Sequence, residues 1–235
     1  MNYPLIIAMD FKDKTEAGAF LEKFGEEELF LKIGMELFYR EGPALVHAWK
    51  EKGHRVFLDL KLHDIPNTVK SAARQLASLE VDITTVHAAG GTQMMEAARE
   101  GLEAGTPAGR PVPACAAVTQ LTSTTEYIMN KEIGIQGTLE ESVLRYAAGA
   151  AEAGIDHVVS SAWEAASIKN QIPAMKAVTP GIRLKEDAAN DQRRVVTPDR
   201  AREYGSDAIV AGRSITLAED PLQKYRMMRK QWREY

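Results

Sequence analysis

The sequence predicts a (β/α)8 barrel that occupies residues 1–235 as one domain, and three observations carry that prediction. Short β-branched or apolar runs alternate with longer helix-patterned stretches along the whole chain, the order of a parallel sheet with right-handed crossovers. The alternation repeats eight times with no composition break or flexible linker, and α/β barrels commonly reach 235 residues as single units. The first strand-to-helix turn, Met9-Asp10-Phe11-Lys12, lacks the glycine fingerprint that a doubly wound open sheet carries there.

The first strand is read over 5–10, an apolar run closed by Asp10, and its helix over 15–24, stopped by Gly25. The second strand, 30–34, is followed by a helix over 43–52 that ends at Gly53. The third strand spans 55–61 and leads into a helix over 67–79, while the β-branched fourth, 83–87, precedes a helix over 92–103 ending at Gly105. Strand 112–119 is followed by helix 139–153 with Gly154 behind it, and strand 157–161 by helix 162–172. Strand 176–180 precedes helix 197–204, closed by Gly205, and strand 208–211 precedes a last helix from Pro221. Glycine behind a helix suits the left-handed terminal cap. Thr197-Pro198 and Asp220-Pro221 read as N-caps with proline in the first turn.

The third strand is the most informative. Side chains alternate along a strand, so Val56, Leu58, Leu60 and Leu62 share one apolar face, while Phe57, Asp59, Lys61 and His63 share the other. Asp64 lies where the strand runs out before Ile65-Pro66. Charges on one face of such a strand mark an enclosed polar site at the strand end. An amphipathic edge strand with its charges in water is the alternative.

Barrel active sites sit at the C-terminal ends of the strands. Here those ends read Asp10, Lys32, Asp59 with Lys61, His87, Thr119, Ser160 with Ser161, Pro180-Gly181 and Gly212-Arg213. Lys32, Asp59, Lys61 and Asp64 alternate in sign, which keeps each lysine protonated even when partly dehydrated. Such an ammonium can stabilise a forming anion and then deliver a proton. The competing reading is a salt-bridge lattice that merely stitches the barrel mouth.

Gly212-Arg213 precedes a short helix-prone stretch, where barrels commonly bind phosphate. Ahead of it, 181–196 reads as a long polar loop without periodicity, holding Arg183, Lys185, Gln192, Arg193 and Arg194. It suits a basic lid over a phosphate, with a mobile surface loop as the alternative.

Composition narrows the field further. A net charge of −4 gives no reason to expect nucleic acid. The single cysteine, Cys115, excludes an internal disulfide, and its apolar surroundings suggest an inert buried thiol. The N-terminus has no basic region before its short apolar run, and no run approaches the roughly 20 residues of a membrane helix. A cytoplasmic protein is expected. His47, His54, His63, His87 and His157 show no paired ligand spacing, and Lys32 and Lys61 would repel a cation from Asp10 and Asp59. No metal and no cofactor is expected, and the residues point to cofactor-free chemistry on an anionic phosphate ester.

Asp59-x-Lys61-x-x-Asp64-Ile65-x-x-Thr68 resembles the signature of the orotidine 5'-phosphate decarboxylase family. Asp10, Lys32, Thr122, Arg183, Gln192 and Gly212-Arg213 extend the likeness over the full length. The resemblance implies decarboxylation of orotidine 5'-phosphate to UMP, with Lys61 donating a proton to pyrimidine C6 from a Lys32–Asp59–Lys61–Asp64 network. It implies a homodimer with shared sites, in which Asp64 and Thr68 come from the neighbouring subunit. It further gives Asp10 and Lys32 the ribose hydroxyls, Thr122 the pyrimidine amide, and Arg213, the Gly212 N–H and Gln192 the phosphate, with Arg183 in the same loop. A Mg²⁺-dependent relative, 3-keto-gulonate-phosphate decarboxylase, carries an acid where this chain has Lys32, which decides against it. A non-catalytic barrel that senses a sugar phosphate would need Gly212-Arg213 but not a lysine between two acids.

Overall fold

In the computed structural model, which describes residues 4–185, 187 and 196–234, eight parallel strands close into a barrel in sequence order. They are β1 (Leu5–Ala8), β2 (Phe30–Gly34), β3 (Arg55–Leu62), β4 (Ile83–His87), β5 (Ala114–Val118), β6 (His157–Val159), β7 (Lys176–Pro180) and β8 (Ala208–Ala211), with β8 paired back to β1. Every predicted run contains its strand, except that β3 runs one residue further. β6 stops short because Ser161 starts the next helix, its N–H donating to the Glu164 carboxylate at 2.8 Å.

The α-helices are α1 (Lys14–Glu22), α2 (Met35–Glu41), α3 (Pro43–Glu51), α4 (Pro66–Ser78), α5 (Thr92–Gly105), α6 (Leu139–Glu152), α7 (Ala162–Gln171), α8 (Pro198–Glu203), α9 (Arg213–Thr216) and α10 (Pro221–Arg233), with a short 3-10 turn at Ala88–Gly90 and a π-helical turn at Ile128–Ile133. Helix α2 is an addition to the sequence reading. It leaves β2 directly, lasts seven residues, and is parted from α3 only by Gly42 at φ +67°. Seven residues show too little of the 3.6-residue period to stand out.

Gly25, Gly53, Gly154 and Gly205 adopt the left-handed conformation expected of them (φ +57°, +81°, +74° and +86°). Gly105 does not. It is the last residue of α5, and a Cβ there would lie 2.1 Å from the Arg74 carbonyl oxygen of α4. Its missing side chain serves the close approach of two helices. Asp220 caps α10 by accepting from the Gln223 N–H at 2.9 Å, whereas Thr197 precedes Pro198 without a side-chain bond.

Strand alternation sorts the core into two layers. Ile6, Ala8, Phe30, Phe57, Ile83, Ala116, Val178, Ala208 and Val210 fill the barrel. Their neighbours Ile7, Leu31, Val56, Leu58 and Ile209 point outward onto Leu37, Val46, Trp49, Met228 and Trp232 of the helices. Each such fully buried Leu or Ile contributes roughly 1.5–3 kcal/mol. The apolar face of β3 therefore lies under the helices and its charged face in the barrel. With β2 and β4 paired on either side, β3 is not an edge strand, and that alternative falls.

The loop after β7 departs from the sequence reading at its start. Ile182, Arg183 and Leu184 are buried, Ile182 pairs with Val196, and the Arg183 N–H donates to the Val196 carbonyl at 3.1 Å. These residues extend the barrel wall rather than begin a free loop. Among the described residues, no helix is long and apolar enough to cross a membrane.

Candidate active site

The end of β3 breaks its own rule of alternation. The β3–β4 register shifts between Leu58 and Leu62, and Lys61 takes φ +51°. A left-handed lysine costs on the order of 1 kcal/mol, so its surroundings must hold it. They do so through the Lys61 N–H, which leaves the strand ladder and donates to the Thr85 hydroxyl at 2.9 Å.

From that backbone the Lys61 side chain reaches into the barrel mouth, with Nζ 2.8 Å from Asp59 Oδ2. Lys32 Nζ lies 3.7 Å from the same oxygen and 3.2 Å from Asp10 Oδ1. Asp59 Oδ1 accepts from the Thr85 hydroxyl at 2.9 Å. The result is a chain of alternating charge, Asp10–Lys32–Asp59–Lys61, whose two cations and two anions cancel. Only 12% of the Asp59 side chain and 14% of that of Lys32 is exposed, so these charges are tolerated because they are paired. His87 ends β4 with its ring 5.4 Å from that of His63. Burial, then the charges of His63 and Lys61, hold its pKa below the usual histidine value, against the opposing pull of Asp59.

Asp10, Lys32, Asp59 and Lys61 line a cavity of about 260 Å³. Thr122, Arg183, Gly212 and Arg213 line other parts of it, over an apolar floor of Ala8, Phe57, Val118, Val159, Val178 and Val210. Arg213 opens α9, and Gly212, Arg213 and Ser214 all line the cavity. A group with several negative oxygens fits there, and a flat ring fits over the floor beside Lys61.

Asp187 ties the two arginine-bearing segments together. Its Oδ2 accepts from the Leu184 N–H at 2.9 Å and from the Ser214 hydroxyl, and its Oδ1 meets Lys224 Nζ at 2.7 Å. Burial pushes its pKa up, but Lys224, Ser214 and the Leu184 N–H outweigh burial and hold it below the usual carboxylate value.

Of the residues singled out from sequence, Asp10, Lys32, Asp59, Lys61, Thr122, Arg183, Gly212 and Arg213 converge on one cavity. Asp64 and Thr68 do not. Both are exposed at the start of α4, and Asp64 accepts from the adjacent Ile65 N–H at 2.6 Å. Within one chain, then, Lys61 lies against a single acid. Gln192, Arg193 and Arg194 lie outside the described residues. Cys115 is buried, and burial, reinforced by Asp156, pushes its thiol up to about 12.

Two residues escaped the sequence reading. Thr85 was readable in part, since alternation along 83–87 puts it on the inward face with Ile83 and His87. Asp187 gave no signal, being one acid in a polar stretch. Among the described residues, no group of three His, Cys, Asp or Glu side chains could hold a metal ion.

Residues 3–228 match the family model described as orotidine 5'-phosphate decarboxylase / HUMPS family. Proteins named orotidine 5'-phosphate decarboxylase from Bacillus cytotoxicus and Bacillus mycoides are each 58% identical over 233 residues, covering 99% of this chain and 98% of theirs. A crystal structure of orotidine 5'-phosphate decarboxylase from Lactobacillus acidophilus superposes with a TM-score of 0.90 at 41% identity, covering 99% of this chain and all of that one. An uncharacterized conserved protein from Geobacillus kaustophilus gives 0.88 at 52% identity, covering 97% of this chain and all of the other.

Proposed function

The chain belongs to the orotidine 5'-phosphate decarboxylase / HUMPS family, and we propose that it converts orotidine 5'-phosphate to UMP and CO2 without a cofactor, the last step of de novo pyrimidine synthesis, in the cytoplasm. The observation that carries this reading is the Lys61 ammonium, held 2.8 Å from Asp59 in a cavity that Arg213 also lines. Lys32 supports it against a metal-dependent reaction, because its ammonium occupies the space beside Asp10 and Asp59 that a cation would need.

Loss of CO2 from C6 leaves an electron pair in the plane of the pyrimidine ring, where the π system cannot spread it. The barrier then falls only through charge already in place. Lys61 supplies that charge and, as the C–C bond breaks, its proton goes to C6, leaving a neutral amine that solvent reprotonates. Asp59 holds the ammonium in position, and Lys32 pairs with the same carboxylate oxygen. Asp10 and Lys32 take the ribose hydroxyls and Thr122 the pyrimidine amide. Arg213, the Gly212 N–H, Gln192 and Arg183 serve the phosphate, whose binding energy holds the ring against Lys61.

One undivided barrel makes up each subunit, and a second copy completes each site by contributing Asp64 and Thr68. The exposure of both residues outside their own cavity, next to Ile65 at 67% exposure, supports this arrangement. The test is the absorbance change of orotidine 5'-phosphate on incubation with the purified chain and a chelator. Turnover unaffected by the chelator is expected. No turnover, or turnover only after Mg²⁺ is restored, overturns the reading.

A further inference from the structure

Thr85 has no solvent exposure and follows the Leu58–Thr84 pair of the β3–β4 ladder, where the register begins to shift. Its hydroxyl has two partners, the Lys61 N–H and Asp59 Oδ1, each at 2.9 Å. The direction of both bonds is fixed. A backbone N–H only donates, so the Thr85 oxygen accepts from Lys61 and its single proton goes to Asp59. Asp59 thereby spends Oδ1 on Thr85 and keeps Oδ2 for the ammoniums of Lys61 at 2.8 Å and Lys32 at 3.7 Å.

The same hydroxyl acts on the backbone. The Lys61 amide lies inside the shifted register, at φ +51°, and Thr85 gives that N–H its acceptor. One oxygen atom thus fixes both the main chain from which the Lys61 side chain starts and the carboxylate on which it ends. Being β-branched, Thr85 is stiff about χ1, so the hydroxyl is held in place before substrate arrives.

We propose that Thr85 is a positioning residue for proton delivery, aiming the Lys61 ammonium by clamping the Lys61 amide and the Asp59 carboxylate through one hydroxyl. It touches neither substrate nor the reacting atoms. The proposal rests on the reading of Lys61 as the proton donor. It also separates Thr85 from a residue that only fills space, since a side chain of the same shape without the hydroxyl would then serve equally well.

Thr85→Val removes the hydroxyl and keeps the shape, and Thr85→Ser keeps the hydroxyl on a smaller side chain. For each, kcat and KM for orotidine 5'-phosphate are measured together with the Kd of UMP. A misplacement of about 1 Å costs about 100-fold, so Thr85→Val should lower kcat about 10- to 100-fold while UMP affinity changes less than about threefold. Thr85→Ser should recover most of the lost kcat. Retention of the parent kcat in Thr85→Val overturns the proposal. So does a parallel fall of kcat and UMP affinity that serine fails to restore, because that marks a structural role. Should Thr85→Val not fold, Thr85→Ala against Thr85→Ser makes the same comparison, the two differing by the hydroxyl alone. A parent chain inactive on orotidine 5'-phosphate sinks the functional reading and Thr85's role with it, whereas an active parent matched by Thr85→Val sinks only the latter.

Discussion

Asp187→Asn tests whether the two arginine-bearing segments are held as one unit. Asparagine keeps the size of the side chain and an oxygen that can serve the Leu184 N–H and the Ser214 hydroxyl. Its NH2 then faces Lys224 Nζ, which in the parent meets Asp187 Oδ1 at 2.7 Å. A hydrogen bond to a charged group contributes about 1.5–3 kcal/mol. The Asp187 and Lys224 side chains are 16% and 18% exposed, and partial solvent access trims the loss to about 1–2 kcal/mol. For a chain of this length each kcal/mol moves Tm by about 2–4 °C, so a fall of about 2–8 °C is expected. The pKa of Asp187 is depressed on folding, so its contribution is present above the unfolded value of 3.8 and lost below it. The Tm gap between parent and variant should therefore narrow as pH falls through that region. The functional readout is the ratio of two substrates. Released arginine segments should raise KM for orotidine 5'-phosphate about tenfold, equivalent to about 1.4 kcal/mol, with a smaller effect on the phosphate-free nucleoside. An unchanged Tm with unchanged KM, or equal losses on both substrates, refutes the clamp.

Arg213→Ala should weaken UMP binding far more than uridine binding, and equal effects on the two ligands would remove its phosphate role. Mixing inactive Lys61→Ala chains with inactive Asp64→Ala chains should restore some turnover, because one site of the mixed dimer keeps both residues; no recovery after demonstrated subunit exchange argues against a shared site. His54, His87 and His157 all have pKa values lowered chiefly by burial, so the unfolded chain takes up protons that the folded chain refuses. Stability should be full above the unfolded value of 6.5 and fall below it. A urea midpoint that stays level from about pH 7.5 to about pH 5.5 would contradict this.

The barrel was legible because strand and helix periods are written into its longer segments. The inward and outward sets of β3 follow from a period of two, and each strand lies where its apolar run is. The short elements were not legible. Helix α2 offers too few residues for a periodicity, and Gly105 looks like a cap until the proximity of α4 shows otherwise. At the site, Asp10, Lys32, Asp59 and Lys61 could be gathered from the rule that barrel chemistry sits at strand ends. The hydrogen bonds of Thr85 and Asp187 could not, since their partners Lys61 and Ser214 lie 24 and 27 residues away. The left-handed turn at Lys61 has no sequence mark either, because lysine rarely adopts it. Asp64 illustrates the limit of spacing. It is three residues from Lys61, yet the chain turns it outward.

The most direct measurement compares Lys61→Ala with the parent for both UMP affinity and orotidine 5'-phosphate turnover, each in a folded preparation. The expected result is UMP binding near that of the parent with turnover lower by at least about 10²- to 10⁴-fold, the range for removing a proton donor. Turnover close to that of the parent would contradict the role given to the Lys61 ammonium.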